Sequence, residues 1–574
     1  MAQEEGRDYW IGAIMAVVNF SIKMLEVLGV DTQKLEQLVD ALGMEIEKAE
    51  EGEVYVDITP NRPDLLDIFG FARAMKYLDR KLTPKNGAYA LKNDPEIEVI
   101  VSESVKKVRP VIAAMVVKGA DLSGGRLKYI INFMEKFSET YGRKRMKVAM
   151  GLHNLDAVEP PFHYDAKKEG SFAPLGGNAE MTFEQILKEH AKGASYAYTL
   201  GKSGLYPQLS DSKGRIMSLI PIINSDLTKV RESTKNLLVD ITGTSESAVN
   251  NALDMIACSF IDAGFDIYPC VIKRDGAEAT TPQLAYNELR IKPIDTERTL
   301  GVGISQADII TQLNKLGYDG AVFGRYVLAY VPPYRVDVLN QQDVIEDIAI
   351  GYGYNNIVPA PVIGTSIGIA DEHAEFYNRL SVLLVGMGFT EAMNGYLTNE
   401  TVDGDNMLRH YDKHSIVRLA YSKVETFTML RTSILPCLLN NLAISSNEAL
   451  PQRLFETGSV FGMDNKKPFE NGAVALVSEH SKANFSEMKA YVEALLGVLG
   501  VDYKLAEGDD SSFIKGRCAA IIVGGNTIGT FGELSPEVLS NFGIAEPTVG
   551  AEISADQLIA SLPYAERRKH APVQ

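Results

Sequence analysis

The segment Asp57-Ile-Thr-Pro-Asn-Arg-Pro-Asp64 constrains the fold of this chain more than any other feature. It continues the stretch from Val54 to Ile58, where polar and apolar residues alternate as in a half-buried strand. Each proline fixes φ and lacks a backbone N–H, so the two prolines force a rigid turn. We expect a helix from Leu65 to Leu78 after this turn, with Asp64 as its N-cap. The pattern predicts a small α/β domain over residues 15–85.

The remaining sequence divides into three predicted segments. Alternating strand and helix patterns predict an α/β domain over residues 86–275. Between residues 276 and 358, Ser305-Gln-Ala-Asp308 has the form of a capping box. A helix, a hairpin and a second helix from about Val338 to Ile350 predict a winged-helix-like module there. A linker with two prolines then begins a last α/β domain over residues 359–574.

The N-terminal region carries two further predictions. Apolar spacing indicates one helix from Met24 to Leu42 that ends at Gly43. Residues 1–14 are predicted to be a disordered extension, and Met15 is a candidate natural start because a strand pattern begins there. The acidic beginning of the chain and its short apolar stretch do not fit a secretory signal.

Composition indicates a soluble protein of several domains, since 574 residues with 45% hydrophobic and 23% charged residues can bury several cores. The net charge of −18 argues mildly against nucleic-acid binding. Any RNA contact must therefore use local basic patches or a second, more basic chain. Gly142-Arg-Lys-Arg-Met-Lys147 is one such patch, and it either touches RNA phosphates or solvates a helix end. The four cysteines lack metal-site spacing, and no apolar run is long enough for a membrane helix, which favours a cytoplasmic protein without a membrane segment.

The D-I-T-P-N-R-P-D segment resembles a hallmark of the phenylalanyl-tRNA synthetase β-subunit family, and the resemblance covers nearly the whole chain from about Met15. We find neither the N-terminal oligonucleotide-fold extension nor the C-terminal ferredoxin-like domain of bacterial members, which favours the archaeal and eukaryotic type. The resemblance implies an α₂β₂ heterotetramer that works on tRNA(Phe), in which the α-subunit uses ATP and phenylalanine. It also implies a multidomain α/β (α+β) fold with an editing domain, a winged-helix-like module and a degenerate class II synthetase domain built on an antiparallel sheet.

The second motif is a set of carboxylates around the last predicted helix of the module. Positions 343, 346 and 347 share one helix face, whereas Val344, Ile345 and Ile348 turn to the core. From the residues alone, a solvated acidic face explains this pattern, and Asp337 joins it only from the loop before the helix. The resemblance implies instead a Mg²⁺ site near the α-subunit boundary, with a structural or assembly role. Its ligands would be Asp337, Asp343, Glu346 and Asp347.

The third motif pairs Ser218-Leu-Ile-Pro-Ile-Ile-Asn-Ser225 with Asp240-Ile-Thr-Gly-Thr244. Both resemble the family's editing domain, which hydrolyses tyrosine wrongly attached to tRNA(Phe). The resemblance places five residues around the editing pocket: Leu209, Ser218, Asn224, Asp240 and Thr242. Asp240 or Thr242 would meet the tyrosine hydroxyl, and Asn224 or backbone N–H groups would position the ester carbonyl or the water. The histidines at positions 153, 163 and 190 are expected to be surface or core residues rather than bases.

The last domain carries Leu430-Arg-Thr-Ser-Ile-Leu-Pro436, Arg453-Leu-Phe-Glu-Thr-Gly458 and Gly532-Glu-Leu-Ser-Pro-Glu537. These stretches resemble the family's catalytic-like domain, and the sequence has no G-x-G-x-G-x-x-R, HIGH-like or KMSKS-like segment. The resemblance implies a domain that has lost ATP binding and serves as a dimerisation surface. Two alternatives stay open, a free-standing aminoacyl-tRNA deacylase and a non-catalytic scaffold or RNA-binding chain.

Overall fold

The computed structural model describes residues 16–562 except 94–96, 178, 202, 362–363, 365–367, 413, 423 and 425. The extension predicted at residues 1–14 lies outside the described residues. The chain divides into two compact units, Met1–Pro361 and Val362–Gln574. No helix within the described ranges is long and apolar enough to cross a membrane.

The first unit contains the following strands and helices. The strands are β1 (Ala16–Ser21), β2 (Glu45–Glu50), β3 (Glu53–Ile58), β4 (Ile97–Val101), β5 (Val111–Lys118), β6 (Val148–Asn154), β7 (Phe162–Lys167), β8 (Ser171–Phe172), β9 (Met181–Thr182), β10 (Tyr206–Ser210), β11 (Ile216–Leu219), β12 (Ile223–Asn224), β13 (Leu237–Gly243), β14 (Asp266–Arg274), β15 (Ala277–Thr281), β16 (Asn287–Ile291), β17 (Asp319–Phe323) and β18 (Tyr326–Val331). The helices are α1 (Ile22–Val27), α2 (Leu35–Ala41), α3 (Ile68–Leu78), α4 (Arg126–Glu139), α5 (Phe183–Glu189), α6 (Ala191–Tyr196), α7 (Glu246–Asp262), α8 (Pro293–Leu300), α9 (Gln306–Lys315) and α10 (Gln341–Tyr352).

Its strands form separate sheets. β1, β3 and β2 pair in that order, and a large mixed sheet runs β12-β11-β10-β7-β4-β14-β5-β13-β6, with β15 also on β14. β16, β18 and β17 form another antiparallel sheet. Strand β13 is buried along its whole length, because β5 and β6 pair with both of its edges and α7 packs against it. The sheet thereby fixes where the side chains of β13 lie.

The second unit is built on a largely antiparallel sheet in the order β19-β22-β23-β27-β26-β25-β24. Its strands are β19 (Thr390–Glu391), β20 (Leu397–Thr398), β21 (Met429–Leu430), β22 (Gln452–Asp464), β23 (Lys467–Glu479), β24 (Lys504–Glu507), β25 (Phe513–Val523), β26 (Asn526–Leu534) and β27 (Thr548–Ser554). Its helices are α11 (Glu372–Gly386), α12 (Glu400–Asp403), α13 (Leu435–Ile444), α14 (Phe485–Leu499), α15 (Pro536–Phe542) and α16 (Ala555–Ser561). The mixed α/β class predicted from the sequence is confirmed by these sheets and helices.

Two predicted helix boundaries are wrong near the N-terminus. The single helix predicted from Met24 to Leu42 is broken into α1 and α2, because Gly29 adopts a φ of +84° and ends the first of them. The helix after the two prolines begins at Ile68 rather than Leu65, since residues 63–65 form a separate 3₁₀ turn. Its N-cap is Asp67, whose carboxylate accepts from the backbone N–H groups of Phe69 and Gly70.

Asp64 belongs instead to a buried network of charges. Both of its oxygens accept from Arg62 at 2.9 Å, and Oδ2 lies 3.3 Å from Arg73. Arg73 also pairs with Asp262 at the end of α7, and its guanidinium stacks 3.5 Å over the ring of Tyr334. Burial alone would raise the pKa of Asp64, but the neighbouring arginines outweigh it and hold that pKa below its ordinary value. The network ties the turn of residues 57–64 to α7 and to the start of the 334–347 segment.

Candidate functional site

The first unit encloses a cavity of about 330 Å³ between α4 and the β6, β11, β12 and β13 strands. Helix α4 lines it with the apolar side chains of Leu127, Ile131 and Met134 and with the polar side chains of Glu135 and Ser138. Strands β11, β12 and β13 add four more polar residues to the lining, which are Ser218, Asn224, Asp240 and Thr242. These four are among the five pocket residues named from the sequence, and the structure brings them together around one space.

Leu209, the fifth residue, does not line this cavity. It is buried in a hydrophobic cluster with Met217, Leu238 and Tyr164. Its strand β10 pairs with β11, so Leu209 lies directly across from Ser218 in the sheet. The side chain therefore supports the wall that carries Ser218.

Asp240 and Thr242 reach the cavity because β13 alternates its two faces. Residues two apart on a strand point to the same side, so both project together. Val239 and Ile241, on the other face, pack into the main core of the unit. The alternation of the two faces along this buried strand therefore places both polar side chains at the cavity.

A buried histidine, His153, forms a hydrogen bond with Asp240. His153 on β6 is fully buried; its Nε2 lies 3.0 Å from Oδ1 of Asp240, and its Nδ1 lies 2.8 Å from the hydroxyl of Thr228. Because a carboxylate only accepts, Nε2 donates in the bond to Asp240. The sequence interpretation expected a surface or core histidine, and the core placement is confirmed. Its hydrogen bond to Asp240 had no sequence signal, since the two residues are 87 positions apart.

A glycine makes room for the same carboxylate. Gly151 on β6 is the register partner of Asp240, and a Cβ on Gly151 would lie 2.1 Å from Oδ1 of Asp240. That distance is far inside van der Waals contact, so Asp240 occupies the space that any other residue at position 151 would fill. Gly151 also lines the cavity itself.

Thr242 is held in place by two hydrogen bonds from Arg109. Nε of Arg109 donates to Oγ1 of Thr242 at 3.0 Å, and Nη2 donates to its carbonyl at 2.7 Å. Burial lowers the pKa of Arg109 to about 10, so the guanidinium stays charged at neutral pH. With its oxygen accepting from Arg109, the Thr242 hydroxyl can donate its hydrogen toward the cavity.

Ser218 offers a hydroxyl with no protein partner. Its Oγ is buried and makes no hydrogen bond within the described structure. Asn224 lies directly across from it in the β11–β12 pairing, and Nδ2 of Asn224 donates to the carbonyl of Leu152 at 3.1 Å. A buried hydroxyl left unpaired is costly, which makes Ser218 a natural partner for a polar ligand atom.

The basic stretch at residues 142–147 contributes to the edge of the cavity. Arg143, Lys144 and Arg145 all adopt left-handed backbone conformations, with φ of 49°, 51° and 68°. Arg145 lines the cavity, donates to the carbonyls of Pro221 and Ile222, and stacks over the ring of Tyr196. Arg143 and Lys144 are exposed. The stretch therefore combines one arginine that lines the cavity with two exposed cations directly before it in the chain.

The four carboxylates proposed for Mg²⁺ occupy different settings. Arg335 holds two of them, Asp337 through both oxygens at 2.8–2.9 Å and Asp347 at 2.7 Å. Asp343 caps its own helix by accepting from two backbone N–H groups, whereas Glu346 is exposed. Within the described residues, no group of three or more acidic, histidine or cysteine side chains is placed to hold a metal ion. As they lie in this chain, the four do not form a cage for Mg²⁺.

Family models match two stretches of the chain. The tRNA synthetase B5 domain matches residues 289–354, and the phenylalanyl tRNA synthetase beta chain CLM domain matches residues 358–555. The phenylalanine–tRNA ligase beta subunit of Archaeoglobus fulgidus is 35% identical over 94% of this chain and 98% of its own length. This chain belongs to the phenylalanine–tRNA ligase beta subunit family. The family's member from Methanococcoides burtonii is 33% identical over 94% of this chain and 99% of its own.

A solved structure adds to the family assignment for the first part of the chain. An N-terminal fragment of the phenylalanyl-tRNA synthetase beta-subunit from Pyrococcus horikoshii matches with a TM-score of 0.56 and 31% identity. The match covers 59% of this chain and 99% of the fragment. Family membership identifies the chain as a subunit of a ligase of protein biosynthesis.

Proposed function

We propose that this chain works in complex with an α-subunit that uses ATP to attach phenylalanine to tRNA(Phe), while its own cavity hydrolyses tyrosyl-tRNA(Phe). The family assignment supports the ligase role. The observation that carries the editing role is the cavity itself, whose lining combines Ser218, Asp240 and Thr242 with apolar side chains of α4.

The shape and polarity of the cavity suit a tyrosyl group. Its volume of about 330 Å³ lies at the lower end of the range for small-molecule sites. The apolar side chains of α4 would contact the tyrosine ring, and the polar groups of the strands would form hydrogen bonds with the phenol hydroxyl. A buried site built to hydrogen-bond a hydroxyl rejects the analogue that lacks it by about 10⁴-fold or more, because its polar groups are left unpaired. Phenylalanine would thus be spared.

Hydrolysis needs a water whose oxygen bonds to the ester carbonyl carbon while the bond to the ribose oxygen breaks. The ribose oxygen takes a proton, which leaves free tyrosine and uncharged tRNA(Phe). We assign Asp240, held by His153, to accept the phenol hydrogen, with Ser218 as a second partner. Asn224 has a second amide hydrogen beyond the one donated to Leu152, and this group would position the carbonyl or the water.

The decisive experiment compares Asp240→Ala with wild type in the complete complex. We expect deacylation of tyrosyl-tRNA(Phe) to fall about 100-fold while phenylalanine attachment stays unchanged, because only the cavity is altered. Asp156→Ala, an exposed aspartate just after β6, is the matched control and should retain deacylation. If wild type itself fails to clear tyrosyl-tRNA(Phe), the scaffold alternative is correct.

The second unit is proposed to be a catalytic-like domain without ATP binding. Arg431 is fully buried and pairs with Glu456 at 2.6 Å, while its Nε donates to the carbonyl of Ser459. This arginine is therefore committed to the interior and is not available to clamp a triphosphate. Exposed Val382 and Val385 on α11 offer an apolar strip for subunit contact.

Size-exclusion chromatography with and without the α-subunit tests assembly. We expect the chain to form an α₂β₂ complex in the cytoplasm. We expect Mg²⁺ to bind only in this complex, where the α-subunit would add ligands beside Asp337, Asp343, Glu346 and Asp347. A chain that stays monomeric beside the α-subunit and deacylates tRNA alone would support the free-standing deacylase instead.

A further inference from the structure

The sheet of strands β16, β18 and β17 turns one face to solvent. Val327, Ala329 and Val331 of β18 are buried, so the alternate residues of that strand lie on the outer face. Tyr326 lies there beside its cross-strand partner Phe323, whose side chain is 57% exposed. We call the end of this face around residues 290, 292, 323, 325 and 326 the hairpin face.

Three cations surround these two rings. The guanidinium of Arg290 lies 6.0 Å from the ring centre of Phe323, and that of Arg325 lies 5.1 Å from the ring centre of Tyr326. Lys292 directly follows β16 beside them. The pKa of Tyr326 is lowered, first by a hydrogen bond from Arg325 and then by the positive charges of Arg325, Lys292 and Arg290. All three charges thus act at one place.

Three carboxylates lie on or next to this sheet, and two of them pair with cations of the hairpin face. Glu288 and Asp319 are both register partners of Tyr330, four residues along β18 from Tyr326. Asp319 already accepts from the backbone N–H groups of Asn86 and Gly320. Glu288 lies 3.6 Å from Arg290, and Asp295 lies 3.9 Å from Lys292, both as exposed pairs that cost little to exchange.

The turn that carries Arg325 is held in place before any ligand arrives. Nε2 of Gln306 donates to the carbonyls of Gly324 and Tyr326 at 3.0 and 3.1 Å. Gly324 adopts a φ of +58°, which the tight turn requires. A pre-ordered surface loses less conformational entropy on binding than a mobile loop does.

We propose that the hairpin face binds the sugar–phosphate backbone of RNA, with an unpaired base stacked on Phe323. Arginine guanidiniums supported by aromatic rings present a planar fork that matches phosphate, and exposed rings accept bases of any sequence. Because the chain carries a net charge of −18, a local cluster of three cations is a distinct point of attraction for an anionic polymer such as RNA. The identity of the RNA as tRNA(Phe) rests on the proposed function.

The test is the affinity of the α-subunit complex for a tRNA(Phe) transcript, measured by filter binding between 50 and 300 mM salt. In Arg290→Ala/Arg325→Ala we expect the Kd at low salt to rise about tenfold. Each phosphate contact contributes roughly 0.7–0.9 to the slope of log K against log salt, so the slope should become shallower by about 1.5. Phe323→Ala should weaken binding of a single-stranded uridine dodecamer about fivefold, because stacking is worth about 1–3 kcal/mol per base.

The matched control is Lys466→Ala/Lys467→Ala, which removes two cations from the β22–β23 hairpin tip of the second unit. This variant should bind tRNA(Phe) with wild-type affinity and slope. The proposal is overturned if Arg290→Ala/Arg325→Ala binds within twofold of wild type. It is also overturned if that variant loses the α-subunit while the assembled fraction binds RNA normally, since the face would then be a protein interface. Asp240→Ala tests only the cavity, and it should lose deacylation while it binds RNA normally. The proposal for the cavity and the proposal for the hairpin face can therefore fail independently.

Discussion

Nε2 of His153 and Oδ1 of Asp240 lie 3.0 Å apart inside the first unit, with both side chains buried. Because the sheet holds β6 and β13 in a fixed register, this hydrogen bond sets the orientation of the Asp240 carboxylate. His153 does not itself line the cavity, so it acts on a ligand through Asp240 and Thr228, as a positioning residue.

Two substitutions at His153 should distinguish the effect of its hydrogen bond from the effect of its side-chain volume on deacylation. We expect His153→Met to lower the rate of tyrosyl-tRNA(Phe) deacylation about 10- to 100-fold, because it fills the space without an N–H donor. His153→Gln keeps a donor and should retain most of the rate. Single-turnover deacylation with the assembled complex measures both. Equal activity of the two variants would contradict a positioning role.

Gly151→Ala should disable the same carboxylate by displacement. The new Cβ would meet Oδ1 of Asp240 at 2.1 Å, so either the side chain or the strand must move. We expect deacylation to fall about 100-fold, with phenylalanine attachment intact. The control is Gly497→Ala on α14, where nothing lies within 4 Å of the added carbon. This variant should be neutral or stabilising by up to about 1 kcal/mol.

Removing Arg73 should cost much more stability than removing an exposed cation. Arg73→Met leaves Asp64 and Asp262 without their shared partner in the interior, and breaking such a pair costs about 3–5 kcal/mol. Lys34→Met removes an exposed surface pair with Asp79 and should lower the free energy of unfolding far less. Urea unfolding followed by circular dichroism compares the two free energies of unfolding. Equal costs would show that the network contributes no more than a surface pair.

The stabilising effect of Asp64 should depend on pH in one direction. Its pKa is lowered in the folded chain, so its ionised form stabilises folding above the unfolded value of about 3.9. That contribution is lost as pH falls through the lowered folded value. Asp64→Asn should therefore reduce the free energy of unfolding equally at pH 7 and pH 5, with a smaller reduction below about pH 4. A difference that grows toward acid pH would have the wrong sign.

Mg²⁺ should distinguish the isolated chain from the complex. Because Arg335 already neutralises Asp337 and Asp347, we expect 10 mM Mg²⁺ to leave the melting temperature of the isolated chain unchanged. The complex with an α-subunit should melt higher with Mg²⁺ if the partner completes the site. Thermal scans with matched Ca²⁺ and no-metal samples check for a general salt effect. Clear stabilisation of the isolated chain would show that Asp337 and Asp347 can leave Arg335.

Local sequence signals predicted local structure well. The capping box at Ser305 and Asp308 is present as expected, because both partners lie within one helical turn. Strand β3 likewise matches the alternation that predicted a half-buried strand from Val54 to Ile58. These features depend on contacts between near neighbours in the chain.

Sequence reasoning failed where the deciding partner is distant. Asp64 looked like an N-cap because a helix follows it, yet Arg73 and the burial of the whole turn give it another role. His153 carried no signal toward Asp240. The resemblance placed Leu209 around the pocket, whereas the β10–β11 pairing puts it in the core behind Ser218. Long-range pairing decided each of these cases.

The charged network around Arg73 also bears on how the first unit can be dissected. Arg73 joins the segment that begins near residue 15, the end of α7 and the ring of Tyr334. A cut near residue 85 would separate Arg73 from its partner Asp262, and a cut near residue 275 would remove the ring of Tyr334 from the guanidinium. Expression trials of shorter pieces should succeed only when Arg73, Asp262 and Tyr334 stay on one piece, so the smallest independent fragment that contains the cavity must extend past Tyr334.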